Sequence, residues 1–330
     1  MTGRPAVSVV IPTHNRRDLL LRTLRSVLQQ RDVAVSVIVV DDAGADGSTE
    51  AVRALGHPDV QAIRHPSCQG VSRARNTGLH QVDTPWVAFI DDDDLWAPDK
   101  LSAQLGALST RPSARWSCAG AVLIDGDCRV FRAFPPPAVP EISHLMRSYP
   151  AVPGGGSGVL TATSLAREVG GFDDQLSLLA DWDFYLRLSL NSPVAAVPRP
   201  LVGYYAHSDS MYHDINGVVT ELLALEAKHA AALPEEQMTL DLASWSMKVA
   251  MMAYRDRKHP RPVLRLIGAE LGRHGPLPLV REAALKGRRR VRRERDAMPV
   301  GWYEEATAWL APYTAAAPEP ADRSGYTPDA

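Results

Sequence analysis

The 330-residue chain reads as an α/β domain, with a mostly parallel sheet covered by helices on both faces, followed by an all-helical region. Three observations predict this. Short apolar, β-branched runs alternate with helical spacing over the first hundred residues, the signature of a parallel sheet flanked by helices. Two of those runs end in clustered aspartates. From about Asn216 onward only helical periodicity remains.

Val7–Ile11 (VSVVI) is a continuous apolar run, as a parallel strand buried on both faces should be. Pro12–Asn15 is loop chemistry, and Leu20, Leu24, Val27 and Leu28 then recur at helical spacing to about Gln30. Val35–Val40 is a second strand closing on Asp41-Asp42; a Gly/Asp/Ser loop and a short helix from about Ser48 follow. Val60–Ile63 is a third strand, Ser72–His80 a helix, and Trp86–Ile90 a fourth strand that runs into Asp91–Asp94. Pro98 suits the first turn of a helix continued by Asp99–Leu108.

The middle of the chain changes character. Trp116–Ile124 and Arg129–Phe134 flank Asp125-Gly126, a hairpin turn signal. Gly154–Gly158 reads as a flexible loop, Val159–Thr161 as a strand, Asp181–Asn191 as an amphipathic helix, and Val194–Val197 and Leu201–Tyr205 as two strands. Helices are then expected over Gly217–Leu233, Gln237–Tyr254 and Pro262–Leu271, and residues 312–330, rich in Pro and Ala, as a disordered tail.

Composition narrows the function. With 45% hydrophobic and 22% charged residues the chain can build a sizeable core, and a net charge of −2 argues against a chain-wide nucleic-acid binder. Residues 1–214 carry 19 basic and 23 acidic side chains, so that half has no basic surplus either. Three cysteines without a CxxC exclude a disulfide scaffold or a cysteine zinc site. No apolar run approaches the ~18 residues of a membrane span, and the N-terminal apolar stretch is interrupted by Pro12 and His14 before it could act as a signal. A cytoplasmic protein is expected. The small share of lysine among the basic residues, with abundant Ala and Pro, fits a GC-rich bacterial genome.

The decisive pattern is where the carboxylates fall. In an open parallel sheet, ligands bind outside the carboxyl ends of the strands. One or two aspartates there are ordinary turn and cap chemistry. Four in a row repel one another. They become favourable around a divalent cation, and hard oxygen ligands suit Mg2+ or Mn2+ shared with phosphate oxygens. The residues alone therefore point to an α/β domain that binds a metal and a phosphorylated ligand.

The same segments carry a resemblance. SVVIPTHNRRDLLLRTLRSVLQQ, VSVIVVDDAGADGS, GVSRARNTGL and WVAFIDDDDLWAPDKL, in this order, resemble the donor half of the inverting glycosyltransferase family 2, which has the GT-A fold. GGFDDQLSLLADWDFYLRLS resembles the family's later acceptor-side motif. The likeness covers about residues 6–210 and implies a GT-A domain over 1–214, with a nucleotide-sugar half to about 110 and an acceptor half over 111–214. A helical region over 215–311 and the tail would follow. It implies a metal-dependent inverting hexosyltransferase using a nucleotide-diphosphate sugar.

By this resemblance, Pro12, Thr13, His14, Asn15 and Asp42 would contact the base and ribose, and Arg75 and Asn76 would line the same pocket. Asp91-x-Asp93 would be the DxD motif, with Asp93 and Asp91 on the metal and Asp92 near the ribose. Asp94 is either part of this set or a cap for the helix near Pro98. Asp181 would be the general base, because inversion by single displacement needs one acceptor-side base. Asp183 is its competitor, and capping the helix is its plainer alternative. The family often has an acid before this Asp; here it is Ala180. His207 would be a third metal or diphosphate contact. Trp96, Trp182 and Tyr185 are candidates to stack a sugar ring.

The acceptor is expected to be a saccharide, a lipid-linked saccharide, a peptide or a natural product. KGRRRVRRER at 286–295 is either a solvated face, an acceptor contact or a peripheral attraction to an anionic membrane. Nucleic acid is excluded as a partner, since no aromatic residues interleave with these arginines. The competing function is a non-catalytic nucleotide-sugar-binding partner of another transferase. A nucleotidyltransferase or dinucleotide oxidoreductase lacks support, because IPTHNR contains no glycine.

Overall fold

The computed structural model describes residues 4–146, 149–206, 214–232, 245, 261–274, 276 and 298–314. The chain divides into two compact units, one of residues 1–146, 150–207 and 298–330, the other of residues 147–149 and 208–297.

The first unit is built on a nine-stranded sheet. Strands β1 (Ala6–Thr13), β2 (Ala34–Asp41), β3 (Val60–Arg64) and β4 (Trp86–Phe89) run parallel in the spatial order β3-β2-β1-β4. Val7, Val9, Val10 and Ile11 of β1 are fully buried, because helices cover both faces of a parallel sheet and leave no polar side. Helices α1 (Arg17–Leu28), α2 (Ser48–Ala54) and α3 (Val71–Gln81) connect the four strands. The chain passes from β1 outward to β3 and then returns to the other side of β1 for β4. That reversal places a crevice at the carboxyl ends of β1 and β4, the usual ligand position in such sheets.

The rest of the sheet is mixed, which departs from the expected mostly parallel arrangement. Strand β8 (Val159–Ala162) lies antiparallel between β4 and β6 (Trp116–Ile124), so it reverses the sheet direction at its centre. Strand β6 pairs in parallel with β9 (Val194–Tyr205) and antiparallel with β7 (Val130–Phe134), the second arm of the expected hairpin. The two strands expected at 194–205 are one. Its register shifts around Gly120, which absorbs the Pro198–Pro200 segment. The two-residue β5 (Leu95–Trp96) closes the far edge against β9. Helix α4 (Lys100–Ser109), short helices α5 (Val139–Leu145) and α6 (Thr163–Glu168), and α7 (Ala180–Asn191) complete this part.

In the second unit, α8 (Ile215–Ala232) and α9 (Arg261–His274) are helices as expected. Val218, Val219, Leu222 and Leu225 form the buried stripe of α8. Apart from Trp245, the expected helix at 237–254 lies outside the described residues, as does the basic stretch at 286–295.

Helix α10 (Trp302–Leu310) belongs to the first unit, not to the helical region in which the sequence placed it. Its Trp302 fills the space over Gly120, where a Cβ would stand 2.2 Å from the indole. Trp309 Nε1 donates to the Pro200 carbonyl at 2.9 Å, and Arg199 pairs with both Glu305 and Asp99. Tyr313, assigned from sequence to the tail, is buried and donates to Gln29 Oε1 at 2.8 Å. Aromatic burial outweighs the surrounding Pro and Ala content there.

Candidate active site

The loop after β1 and the segment after β4 meet in the crevice. Thr13, the last residue of β1, is buried and donates its hydroxyl to Asp92 Oδ2 at 2.7 Å. Arg16 follows at the N-cap of α1, and its Nη1 lies 2.6 Å from Asp93 Oδ2 and 3.3 Å from Asp92 Oδ1. Burial and the charge of Asp93 push Asp92 up to about 7, against the opposing pull of Arg16 and Thr13. Arg16 itself is raised: burial disfavours its charge, but Asp92 and Asp93 outweigh that.

Asp94 does not cap the helix near Pro98. It is fully buried and accepts from Ser157 Oγ at 2.5 Å and from the Tyr205 amide at 3.0 Å. The cap position of α4 is Asp99, whose side chain makes no capping bond. The Ser157 hydroxyl also accepts the Asp91 amide at 3.0 Å, so a single serine ties the acidic segment to the glycine-rich loop.

That loop forms a wall of the site. Arg75, buried on α3, donates through Nη2 to Asp91 Oδ1 at 2.5 Å and lies over the Phe172 ring. Its Nε is buried with no hydrogen-bond partner among the described residues. A Cβ on Gly156 would stand 2.6 Å from Arg75 Nη2 and 3.0 Å from Asp91 Oδ1, and one on Gly155 would stand 3.3 Å from Asp181 Oδ2. The glycines thus bring Asp91, Arg75 and Asp181 around side-chain-free backbone. Gly155 also has φ +47°, which only glycine adopts readily.

Asp181 lies in the first turn of α7 with part of its surface open. Its Oδ1 accepts the Trp182 amide at 2.8 Å, and the residue before the helix, Leu179, supplies no side-chain cap. Burial pushes its carboxyl up to about 6, with the Arg75 charge opposing. Asp183, the competitor, is fully buried and bonded to Arg187 at 2.6 Å, one turn along the helix.

Several expected ligand contacts are committed to the fold instead. Asp42 accepts from His65 Nδ1, the Cys68 thiol and the amides of Gln69 and Gly70, at 2.7–3.1 Å. A carboxylate has about four lone-pair sites, and these donors fill them. Burial raises the Asp42 pKa, but these bonds outweigh it and leave the group lowered. Asp42 therefore anchors the 65–70 segment rather than facing a base. Asn76 is likewise used: its amide clamps the Phe172 backbone in both directions and donates to Asp174. His14 Nδ1 is 2.8 Å from the Asp42 carbonyl, and Asn15 Oδ1 accepts the Ala45 amide at 2.6 Å. These two bonds join the loop after β1 to the loop after β2, next to Pro12 at the strand end. Trp96, Trp182 and Tyr185 are fully buried, bonded to the carbonyls of Ser157, Met146 and Gly155, and belong to the core rather than to a sugar platform. His207 lies outside the described residues.

The profile described as "Glycosyl transferase family 2" matches residues 8–120, which hold β1 through β4 and the acidic segment. The chain carries a family 2 glycosyltransferase domain. This domain is 34% identical over 113 residues to the putative teichuronic acid biosynthesis glycosyltransferase TuaG of Bacillus subtilis, covering 34% of this chain and 45% of that protein. It is 37% identical over 97 residues to the succinoglycan biosynthesis protein ExoO of Rhizobium meliloti, covering 29% of this chain and 28% of the relative. The chain thus spans less than half the length of these curated relatives. Among solved structures, TarS 1–349 of S. aureus in complex with UDP-GlcNAc aligns with a TM-score of 0.57 at 15% identity, over 68% of this chain and 66% of that one. The mannosyltransferase PcManGT of Pyrobaculum calidifontis, in complex with GDP-Man and Mn2+, aligns with a TM-score of 0.53 at 22% identity, over 95% and 81%. The glycosyltransferase domain has the GT-A fold of these neighbours.

Arg16, His65, Gly155, Gly156 and Ser157 were not among the sequence-predicted site residues. The GGGSG run was visible, but only as a loop; nothing in the sequence pairs Arg16 with residues nearly eighty positions away.

Proposed function

We propose that this chain is a metal-dependent inverting glycosyltransferase that moves a hexose from a nucleotide-diphosphate sugar to an acceptor hydroxyl. The observation that carries the reading is the grouping of Asp91, Arg75 and Asp181 around the Gly155–Gly156 backbone, with the Asp181 carboxyl pushed up to about 6 by burial. A base that is ionised at neutral pH and still basic enough to take a proton suits an acceptor-side general base. Arg75, whose buried Nε has no partner among the described residues, would donate to a phosphate or sugar oxygen.

The donor set fits a hard cation. Asp91 and Asp93 offer carboxylate oxygens, while Asp94 is internal and Asp92 is held by Thr13. Among the described residues no three acidic, His or Cys side chains group so that they could hold a metal ion; Asp91 and Asp93 would leave the rest of a Mg2+ or Mn2+ shell to water and diphosphate oxygens. When bound, such a cation would neutralise charge growing on the leaving nucleotide diphosphate. Thr13, His14 and Asn15 then shape the nucleotide side of the crevice through their loop contacts.

No helix among the described residues is long and apolar enough to cross a membrane. We place the acceptor on a lipid-linked saccharide or a comparable glycan at an anionic surface, with the seven basic residues of 286–295 attracting the enzyme there. A relative from Escherichia coli, 29% identical over 104 residues, is described as acting on an α-D-GlcNAc-diphosphoundecaprenol.

Thermal shift against a panel of nucleotide sugars, with and without Mn2+, tests the donor reading. One nucleotide sugar should raise the melting temperature only when Mn2+ is present. A panel with no stabilising member, or a shift indifferent to metal in both wild type and Asp93→Ala, would overturn it.

A further inference from the structure

Arg16 stands where it gains nothing from its own helix. It occupies the N-cap of α1, the positive end of the helix dipole, where a cation is disfavoured and an Asp or Ser would be normal. Its side chain makes no capping bond there. It is instead held by the acidic segment, with Nη1 2.6 Å from Asp93 Oδ2 and 3.3 Å from Asp92 Oδ1. The preceding residue, Asn15, adopts φ +56°, an uncommon conformation that its Ala45 contact and the turn into α1 maintain. The other arginines near the cluster make different contacts: Arg75 takes Asp91, and Arg22 reaches only the Asp93 carbonyl, at 3.4 Å. One guanidinium therefore bridges Asp93, which the metal reading assigns to the cation, and its neighbour Asp92.

We propose that Arg16 is the resident cation of the site: it occupies Asp92 and Asp93 in the ligand-free enzyme, competes with the divalent cation for Asp93, and is released towards the diphosphate when that cation binds. The inference rests on the metal reading above. Charge balance supports it. Four consecutive carboxylates in a largely buried segment would repel one another without a counter-charge. Arg16 keeps the segment folded until metal and donor arrive together. A guanidinium freed at this position stays within the same crevice and suits a diphosphate, which accepts its planar fork of donors. Metal binding is then weak in the absence of nucleotide, and the two ligands bind cooperatively because each removes a cost borne by the other.

Mn2+ binding measured directly by electron paramagnetic resonance, without any turnover, tests the proposal on the full chain. Arg16→Gln should bind Mn2+ about tenfold more tightly than wild type in the absence of nucleotide. It should also bind nucleoside diphosphate more weakly at saturating Mn2+, so that the cooperativity between the two ligands shrinks. Arg17→Gln, next in sequence but paired with Asp18 in solvent, removes the same charge without touching the acidic segment. It should leave Mn2+ affinity within twofold. If Arg16→Gln leaves Mn2+ affinity unchanged or weaker while Asp93→Ala still abolishes it, the metal reading stands and the role of Arg16 is wrong. If Arg17→Gln tightens Mn2+ equally, net charge alone explains the effect and the proposal falls. If the wild type, Arg16→Gln and Arg17→Gln all fail to bind Mn2+ even with nucleotide, both readings fail together. Circular dichroism melting of each variant identifies any that do not fold. In that case Arg16→Lys, which keeps the charge but loses the fork, should bind Mn2+ with intermediate affinity; wild-type affinity there would overturn the proposal.

Discussion

The carboxylates after β2 and those after β4 sit at the same end of the same sheet, yet they meet different surroundings. Asp41 accepts from the Gly44 amide at 2.7 Å and the Thr49 hydroxyl at 2.6 Å, and Asp42 has all its lone pairs filled by His65, Cys68, Gln69 and Gly70. Amides, hydroxyls, a thiol and a histidine of the fold satisfy both, with no arginine among them. After β4, Asp94 is satisfied in that way and Asp92 in part, by the Thr13 hydroxyl. Asp92 and Asp93 are met by Arg16, and Asp91 by Arg75, so formal charge answers formal charge. The difference separates two uses of one residue type. An acid filled by amides and hydroxyls shapes a loop, and its loss should be felt in folding. An acid balanced by arginines, or raised by burial as Asp181 is, should be felt in turnover and ligand binding.

The largest expected effect lies on the turnover side. Asp181→Asn keeps the bond from the Trp182 amide but cannot take a proton. Turnover should fall by ~10²–10⁴, the range for a positioned base, while donor affinity survives. Steady-state kinetics with calorimetric donor binding checks both. Near-normal turnover would remove Asp181 from the mechanism, and Asp183 could replace it only by breaking its buried pair with Arg187.

Next in size is the contrast in stability between the two strand ends. Asp42→Asn turns two acceptor sites into donors that face the Gln69 and Gly70 amides, and should cost roughly 2–4 kcal/mol. Asp93→Asn removes one like charge from four and should leave the melting temperature unchanged or higher, though it impairs cation binding. Urea denaturation of the two variants, side by side, reads the difference. If Asp42→Asn kept full stability but altered nucleotide preference, Asp42 would be a ligand contact after all and the comparison would break.

A smaller effect is the pH dependence of the reaction. With the Asp181 carboxyl at about 6, kcat/KM at saturating Mn2+ should fall about tenfold per pH unit below that value and level off above it. The limb should vanish in Asp181→Asn. A limb that persists in the variant belongs to another group, with Asp92, pushed up to about 7, as the first suspect.

The parallel half of the sheet was legible because burial on both faces forces unbroken apolar, β-branched runs such as VSVVI and VSVIVV. The crevice and its acidic rim followed from the position of Asp91–Asp94 at the carboxyl end of a parallel strand. What escaped depended on contacts between distant residues. Arg16 meets Asp93 across 77 positions, and Ser157 meets Asp94 across 63. Neither pairing leaves a local pattern. The stacking roles of Trp96, Trp182 and Tyr185 failed for a related reason, since a large aromatic reads the same whether it fills a core or faces a sugar. Helix α10 fell within the span expected to be helical, but its place in the sheet unit was not legible, because its docking is written in Gly120, nearly two hundred residues earlier.

The smallest expected effect tests whether Asp181 is costly to the fold, as an acid of the second kind should be. Its carboxyl sits at about 6 in the native state against an ordinary 3.8. Below pH 4 both native and unfolded forms are protonated, so the group contributes nothing. Between those values the native state holds the proton and the unfolded chain has lost it, so stability falls as pH rises through the window. Above pH 6 the native state carries a partly buried charge and the full penalty applies. The gap sets a ceiling of ~3 kcal/mol, and the open part of the side chain reduces this to about 1–2 kcal/mol. Asp181→Asn should therefore melt higher than wild type at pH 8 and at the same temperature at pH 4, while losing turnover. Equal gains at both pH values would mean that the substitution improves packing rather than removing a charge. A loss at pH 8 would mean that Arg75 and the helix end favour the carboxylate more than burial opposes it. Asp181 would then join the structural acids of β2.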